Sequence, residues 1–209
     1  MFRKLELDKR LKGKAHEIVA DPIIIRVNKF NEESLEKFSA SFNTALEMSQ
    51  SVIPIVIDSY GGQVYSLMSM VEMILSSPVP VATFVSGKAM SCGAMLFCFG
   101  TEGLRFIGEH STLMFHDVSS FAAGKIEELK ADVKEADRLN EKIFRMAAKH
   151  IGKNETFFID MIDKNKHADV YIDPQRALKQ NIANMIGTPE FSTKVVVEEN
   201  IVFNGKKLT

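Results

Sequence analysis

Ser91 lies in the stretch GKAMSCGAMLFCFG, residues 87–100, where a β-branched run gives way to a short apolar segment. A serine at a strand-to-helix turn has its hydroxyl where the first free N–H groups of the helix point, and such groups stabilise an oxyanion. That arrangement suits an acyl-enzyme nucleophile. A helix cap is the competing account, since serine is among the preferred caps. The stretch carries half of a nucleophile elbow, with Gly93 at the second glycine of G-x-S-x-G and Ala89 at the first. Two further features bear on the serine. Gly61-Gly62 follow the run VIPIVIDSY (52–60), and paired glycines at a strand end either bring backbone N–H groups against a ligand or make a simple turn. His116 ends the run TLMFH (112–116), as a candidate general base or a structural strand histidine.

The elements that must position these residues alternate. PIIIRVN (22–28) reads as a strand, and the following helix has Asn31 as its cap and Leu35, Phe38, Phe42 and Leu46 on one face. VIPIVID (52–58) and PVPVATFV (78–85) are buried-type strands flanking an apolar helix at QVYSLMSMVEMILSS (63–77). Residues 91–99 form a short helix, and LRFIG (104–108) and TLMFH two more strands. Such alternation predicts an α/β fold with a mainly parallel sheet. Between Gly124 and Gly152, Ile126, Leu129, Val133, Ala136, Leu139, Ile143 and Met146 step by threes and fours on a charged background. The spacing predicts a long amphipathic helix over 124–151 that projects from the core or meets another subunit. NETFFIDMIDKN (154–165) and DPQRALKQ (173–180) read as helices, and KVVVEENIVFNGKK (194–207) as a terminal hairpin.

The 209 residues, 45% hydrophobic and with a net charge of -1, fit one soluble domain and give no electrostatic footprint for nucleic acid. There is no apolar run of about 18 residues and no secretory signal, so a cytoplasmic protein without membrane contact is expected. Cys92 and Cys98 are spaced onto different faces of one helix, which predicts buried free thiols rather than a disulfide or a zinc site.

Taken in order, DSYGGQVYSLMSMVEMI (58–74), GKAMSCGAMLFCFGTEGLRFIGEHSTLMFHD (87–117) and a long helix ending in KHIGKN (149–154) resemble the proteolytic subunit of Clp-type proteases. Its stretches read NSPGG, G-x-A-A-S-M-G-A, A-G-x-x-G-x-R and M-I-H-Q-P. The resemblance runs from about residue 50 to 185, and the distances from Gly62 to Ser91 and from Ser91 to His116 follow the family without gaps. It implies the ClpP/crotonase-like fold of repeated βαβ units over one domain, 1–209. Residues 1–21 would be a divergent arm, 124–151 the projecting handle-like helix and 190–209 a C-terminal extension. It also implies Ser91 as nucleophile, His116 as general base, and the N–H groups of Gly62 and Cys92 as oxyanion hole. The acid matches Asp169, through the likeness of DVYIDPQRALKQNIAN (169–184) to the family's aromatic and E-A-V-x-x-G-L-V-D pattern. Its acidic neighbours have other duties: Asp173 precedes Pro174 at a helix start, Asp160 and Asp163 lie on a solvent face, and Asp117 alternates away from His116.

The implied activity is that of a serine endopeptidase needing neither metal nor cofactor. It would work inside a homo-oligomeric chamber of heptameric rings on unfolded polypeptides or peptides, fed by an AAA+ ATPase. The chain departs from the family at Tyr60, where a proline is usual, and in DVSSFAAG (117–124), where a glycine-rich strand pairs with substrate. It departs again at Ala168 and Val170, which replace arginines, and throughout residues 1–21. These departures leave open a maturation or viral protease working without an unfoldase, a non-catalytic ring subunit, and an acyl-CoA hydratase or isomerase of crotonase fold.

Overall fold

The computed structural model describes residues 16–117, 125–197, 201–203 and 206–208. The chain forms two compact units, the smaller from residues 1–22 and 191–209 and the larger from residues 23–190. In the smaller, β1 (His16–Ala20) pairs antiparallel with β9 (Thr193–Val197), His16 facing Val197, and β10 (Ile201–Phe203) pairs with β11 (Lys206–Leu208). The hairpin expected over 194–207 is therefore divided: its first arm joins the N-terminal strand, and β10 and β11 alone make the hairpin. Alternation marks a strand without naming its partner.

In the larger unit the parallel strands β2 (Ile25–Val27), β3 (Ile53–Ser59), β4 (Val81–Met90), β5 (Arg105–Ile107) and β8 (Met185–Ile186) lie in that spatial order. The runs IPIVI and VATFV are apolar because a parallel sheet is covered on both faces, and Ile53, Ile55, Ile57, Val81 and Val85 are all buried. Strand β4 is longer than expected because it serves two partners. Thr83–Val85 pair with β5, whereas Lys88–Met90 pair with β6 (Thr112–Phe115). At the change of partner the buried Ser111 hydroxyl donates to the carbonyl of Val85 and accepts from the N–H of Gly87, both at 3.0 Å. Strand β7 (Val170–Ile172) then closes antiparallel on β6.

The helices follow their predicted spans. α1 (Glu32–Glu47) starts with a capping box in which Asn31 Oδ1 accepts from Ser34 N–H at 2.9 Å and Ser34 Oγ accepts from Asn31 N–H at 3.0 Å, a pairing worth about 1 kcal/mol. α2 (Val64–Leu75) and the fully buried α3 (Cys92–Cys98) complete the core around the sheet. α4 (Ile126–His150), about 37 Å long at 1.5 Å per residue, buries only its second half, through Leu139, Ile143, Phe144, Ala147 and Ala148. Ile126 and Val133 in its first half are 70% and 60% exposed. Phe158 of α5 (Phe157–Lys164) lies between Phe144 and Phe115, with ring centroids 6.0 and 4.9 Å away. α6 (Pro174–Lys179) is capped by Asp173, whose Oδ1 accepts from Arg176 N–H at 2.8 Å. No helix among the described residues is long and apolar enough to cross a membrane.

Candidate active site

Ser91 joins β4 to α3 with φ 54° and ψ -121°, a conformation that L-residues rarely adopt and that is found where a site holds it in place. It occupies the N-cap position of α3, yet its side chain makes no capping hydrogen bond. Its backbone N–H donates to the carbonyl of Met114 on β6 at 2.8 Å. On the opposite side a Cβ added to Gly61 would lie 2.8 Å from the serine Cβ and 3.3 Å from the nitrogen of Cys92. Only a glycine, with φ 104° there, lets the two backbones come so close. The turn is held by Ser59, whose hydroxyl donates to the carbonyl of Asn28 at 3.0 Å and accepts from Gly61 N–H at 3.1 Å. Gly62 passes directly against the carbonyl oxygen of Phe30, which a side chain there would strike.

Gly62, Ser91, Cys92 and His116 line one cleft. Its remaining wall is apolar, from Leu67, Met95, Phe115 and Phe144 among others, with Asn140 of α4 as the polar exception. The Cys92 thiol donates to the carbonyl of Gly62 at 3.2 Å. Burial pushes its pKa up, which keeps it a thiol. Cys98 is pushed further, to about 12, by complete burial, and both cysteines are free.

His116 is half-buried and stands one residue beyond β6. Asp169 is exposed, one residue before β7, and is not part of the cleft lining. The ladder between these strands pairs Leu113 with Ile172, Met114 with Tyr171 and Phe115 with Val170. Continued by one residue, the register sets His116 opposite Asp169. Directly opposed residues of an antiparallel pair share a face, with Cβ atoms about 5 Å apart. The other acids are engaged elsewhere: Asp173 in its cap, and Asp117 with Asn140 and His167, each at 2.8 Å.

Sequence reasoning missed Asn140, His167 and Arg105. The guanidinium of Arg105, 0% exposed, donates to the carbonyls of Ile182, Gly100 and Asn181 and to Glu102, tying the turn after α6 to the sheet. Its place in the G-x-R segment was the available signal. Tyr60, where the family has proline, is 78% exposed, with Lys88 Nζ 4.4 Å above its ring and paired to Asp58 at 2.7 Å. The diverged segment 118–124 lies outside the described residues, as do residues 1–15. Among the described residues no group of three or more His, Cys, Asp and Glu side chains is placed to hold a metal ion.

The chain is 27% identical over 139 residues to ATP-dependent Clp protease proteolytic subunit 1 of Rhodopirellula baltica, an alignment covering 66% of this chain and 60% of that relative. The match therefore spans about three fifths of the length of this curated relative. The Clp protease family model matches residues 8–190, which takes in the whole cleft and the β6–β7 pair, and the chain belongs to that family.

Proposed function

We propose that the protein is a serine endopeptidase that cleaves unfolded polypeptides or peptides through Ser91, His116 and Asp169. The observation that carries this reading is the common cleft: Ser91, its hydroxyl not spent on capping, shares it with His116, Gly62 and Cys92. His116 takes the proton of Ser91 as Oγ attacks the peptide carbonyl, and Asp169 holds the imidazole in the tautomer that can accept it. The N–H groups of Gly62 and Cys92 receive the developing oxyanion. Collapse of the tetrahedral intermediate passes the proton from His116 to the leaving amine, and water releases the acyl group by the same steps. The apolar cleft wall favours an apolar side chain beside the scissile bond.

In this reading the enzyme is a cytoplasmic homo-oligomer of heptameric rings that receives unfolded chains from an AAA+ ATPase. Family membership supports the assembly, as does the uncovered apolar end of α4 at Ile126 and Val133. Free, buried cysteines suit a reducing compartment. The test is labelling by a fluorophosphonate probe together with hydrolysis of a fluorogenic peptide. Wild type should show both and Ser91→Ala neither, at unchanged thermal stability. A Ser91→Ala protein that still cleaves overturns the proposal.

A further inference from the structure

Three elements meet at the carboxylate of Asp117, the residue after His116. Oδ1 accepts from Nδ2 of Asn140 on the α4 wall of the cleft at 2.8 Å. Oδ2 lies 2.8 Å from Nδ1 of His167 in the turn between α5 and β7, whose Nε2 is in turn 3.7 Å from Asp163 of α5. That turn is strained, since Lys166 and His167 both have positive φ, 54° and 60°. It is held from inside by Asn165, whose Nδ2 donates to the carbonyls of Ala168 and Asp169 at 3.0 Å. Asp169 is two residues beyond His167. One carboxylate is thus bonded through the chain to His116 and through hydrogen bonds to the cleft wall and to the turn that presents Asp169.

We propose that Asp117 is a positioning residue, clasping the end of β6 to the α5–β7 turn so that His116 and Asp169 keep their register. The inference rests on the assignment of those two residues to a triad with Ser91. Short strands fray at their ends, and both residues lie one step outside the ladder. An added tie beside them therefore fixes what the backbone bonds leave loose. Asn140 engages the second oxygen and keeps the carboxylate from turning toward His116. His167 contributes from the exposed side, so its removal takes away the clasp without disturbing the core.

The experiment is steady-state hydrolysis of a fluorogenic peptide by the full chain. Asp117→Ala and His167→Ala should each lower kcat by roughly 10- to 100-fold, the scale on which misplacement of a catalytic group acts, with KM changed less than twofold. The double variant should be no slower than the slower single one, because both remove the same tie. Asp117→Asn, which keeps one acceptor, should recover part of the rate. Retention of kcat within twofold in His167→Ala overturns the inference, as does a loss confined to KM. Because His167 is exposed, that variant decides the matter even if Asp117→Ala does not fold. Ser91→Ala in the same assay separates the two levels: if it still cleaves, the triad reading itself fails. If it is inactive while His167→Ala is wild type, only the role of Asp117 falls.

Discussion

Gly61 and Ser91 approach so closely that one added carbon on the glycine would sit 2.8 Å from the Cβ of the serine. Gly61→Ala must both adopt φ 104° and push Ser91 away, so it should lower stability by about 1–3 kcal/mol and remove peptide hydrolysis from the molecules that remain folded. Activity per folded molecule, with thermal unfolding measured alongside, checks this. Hydrolysis at the wild-type rate would show that the serine tolerates displacement.

The backbone of Ser91 carries its own strain. Ser91→Gly and Ser91→Ala both lack the proposed nucleophile, but only glycine relaxes at φ 54°. Ser91→Gly should therefore unfold at higher denaturant than Ser91→Ala, by about 1 kcal/mol. Equal midpoints would mean that the conformation costs nothing.

Asp169→Asn should leave assembly and folding intact and reduce hydrolysis by orders of magnitude, because an amide favours the wrong tautomer of the base. Light scattering together with kcat reads both halves of the prediction. Near-wild-type activity would move the acid elsewhere.

Arg105→Met removes a guanidinium that serves three carbonyls and one carboxylate in a buried site. The expected loss is about 3 kcal/mol, seen as a lower urea midpoint. A change below about 0.5 kcal/mol would show that the turn after α6 is held by other contacts.

The hydrogen bond that His167 donates to the Asp117 carboxylate, and then that carboxylate's charge, hold the pKa of His167 above its usual value, with a smaller contribution from Asp163. A raised folded-state pKa means that the ion pair stabilises fully below about pH 6.5 and fades as pH rises through the folded value. His167→Gln should therefore be more destabilising in mild acid than in alkali, where only the hydrogen bond of the neutral ring is lost. His150, pushed the other way by burial, is common to both proteins and cancels in the difference. A proton NMR titration of His167 in wild type and Asp117→Asn checks the cause directly.

Much of this was legible locally. Asn31 ahead of the stripe Leu35, Phe38, Phe42 and Leu46 announced a capped helix, and the apolar run of β3 announced a doubly covered parallel strand. The order and spacing of the segments around Gly62, Ser91 and His116 carried the family. What escaped is what depends on distant partners. Three residues, VYI, hold too little pattern to declare a strand, and only pairing with β6 makes them one. The two strands that share β4, the pairing of β1 with β9, and the bonds of Asp117 all join residues far apart in sequence, to which periodicity is blind. The strain at Ser91 has no sequence signature, because it is imposed by Met114 on one side and Gly61 on the other.

The β6–β7 register has a consequence for how such an enzyme fails. Strand pairing is a discrete variable: a slip of one residue turns every side chain of β7 to the other face, and no half-slipped state offers half a catalytic geometry. Damage to this short edge strand should therefore sort molecules into competent and silent ones, not slow them all alike. A weakened preparation would show an undiminished rate per active site and fewer sites to titrate.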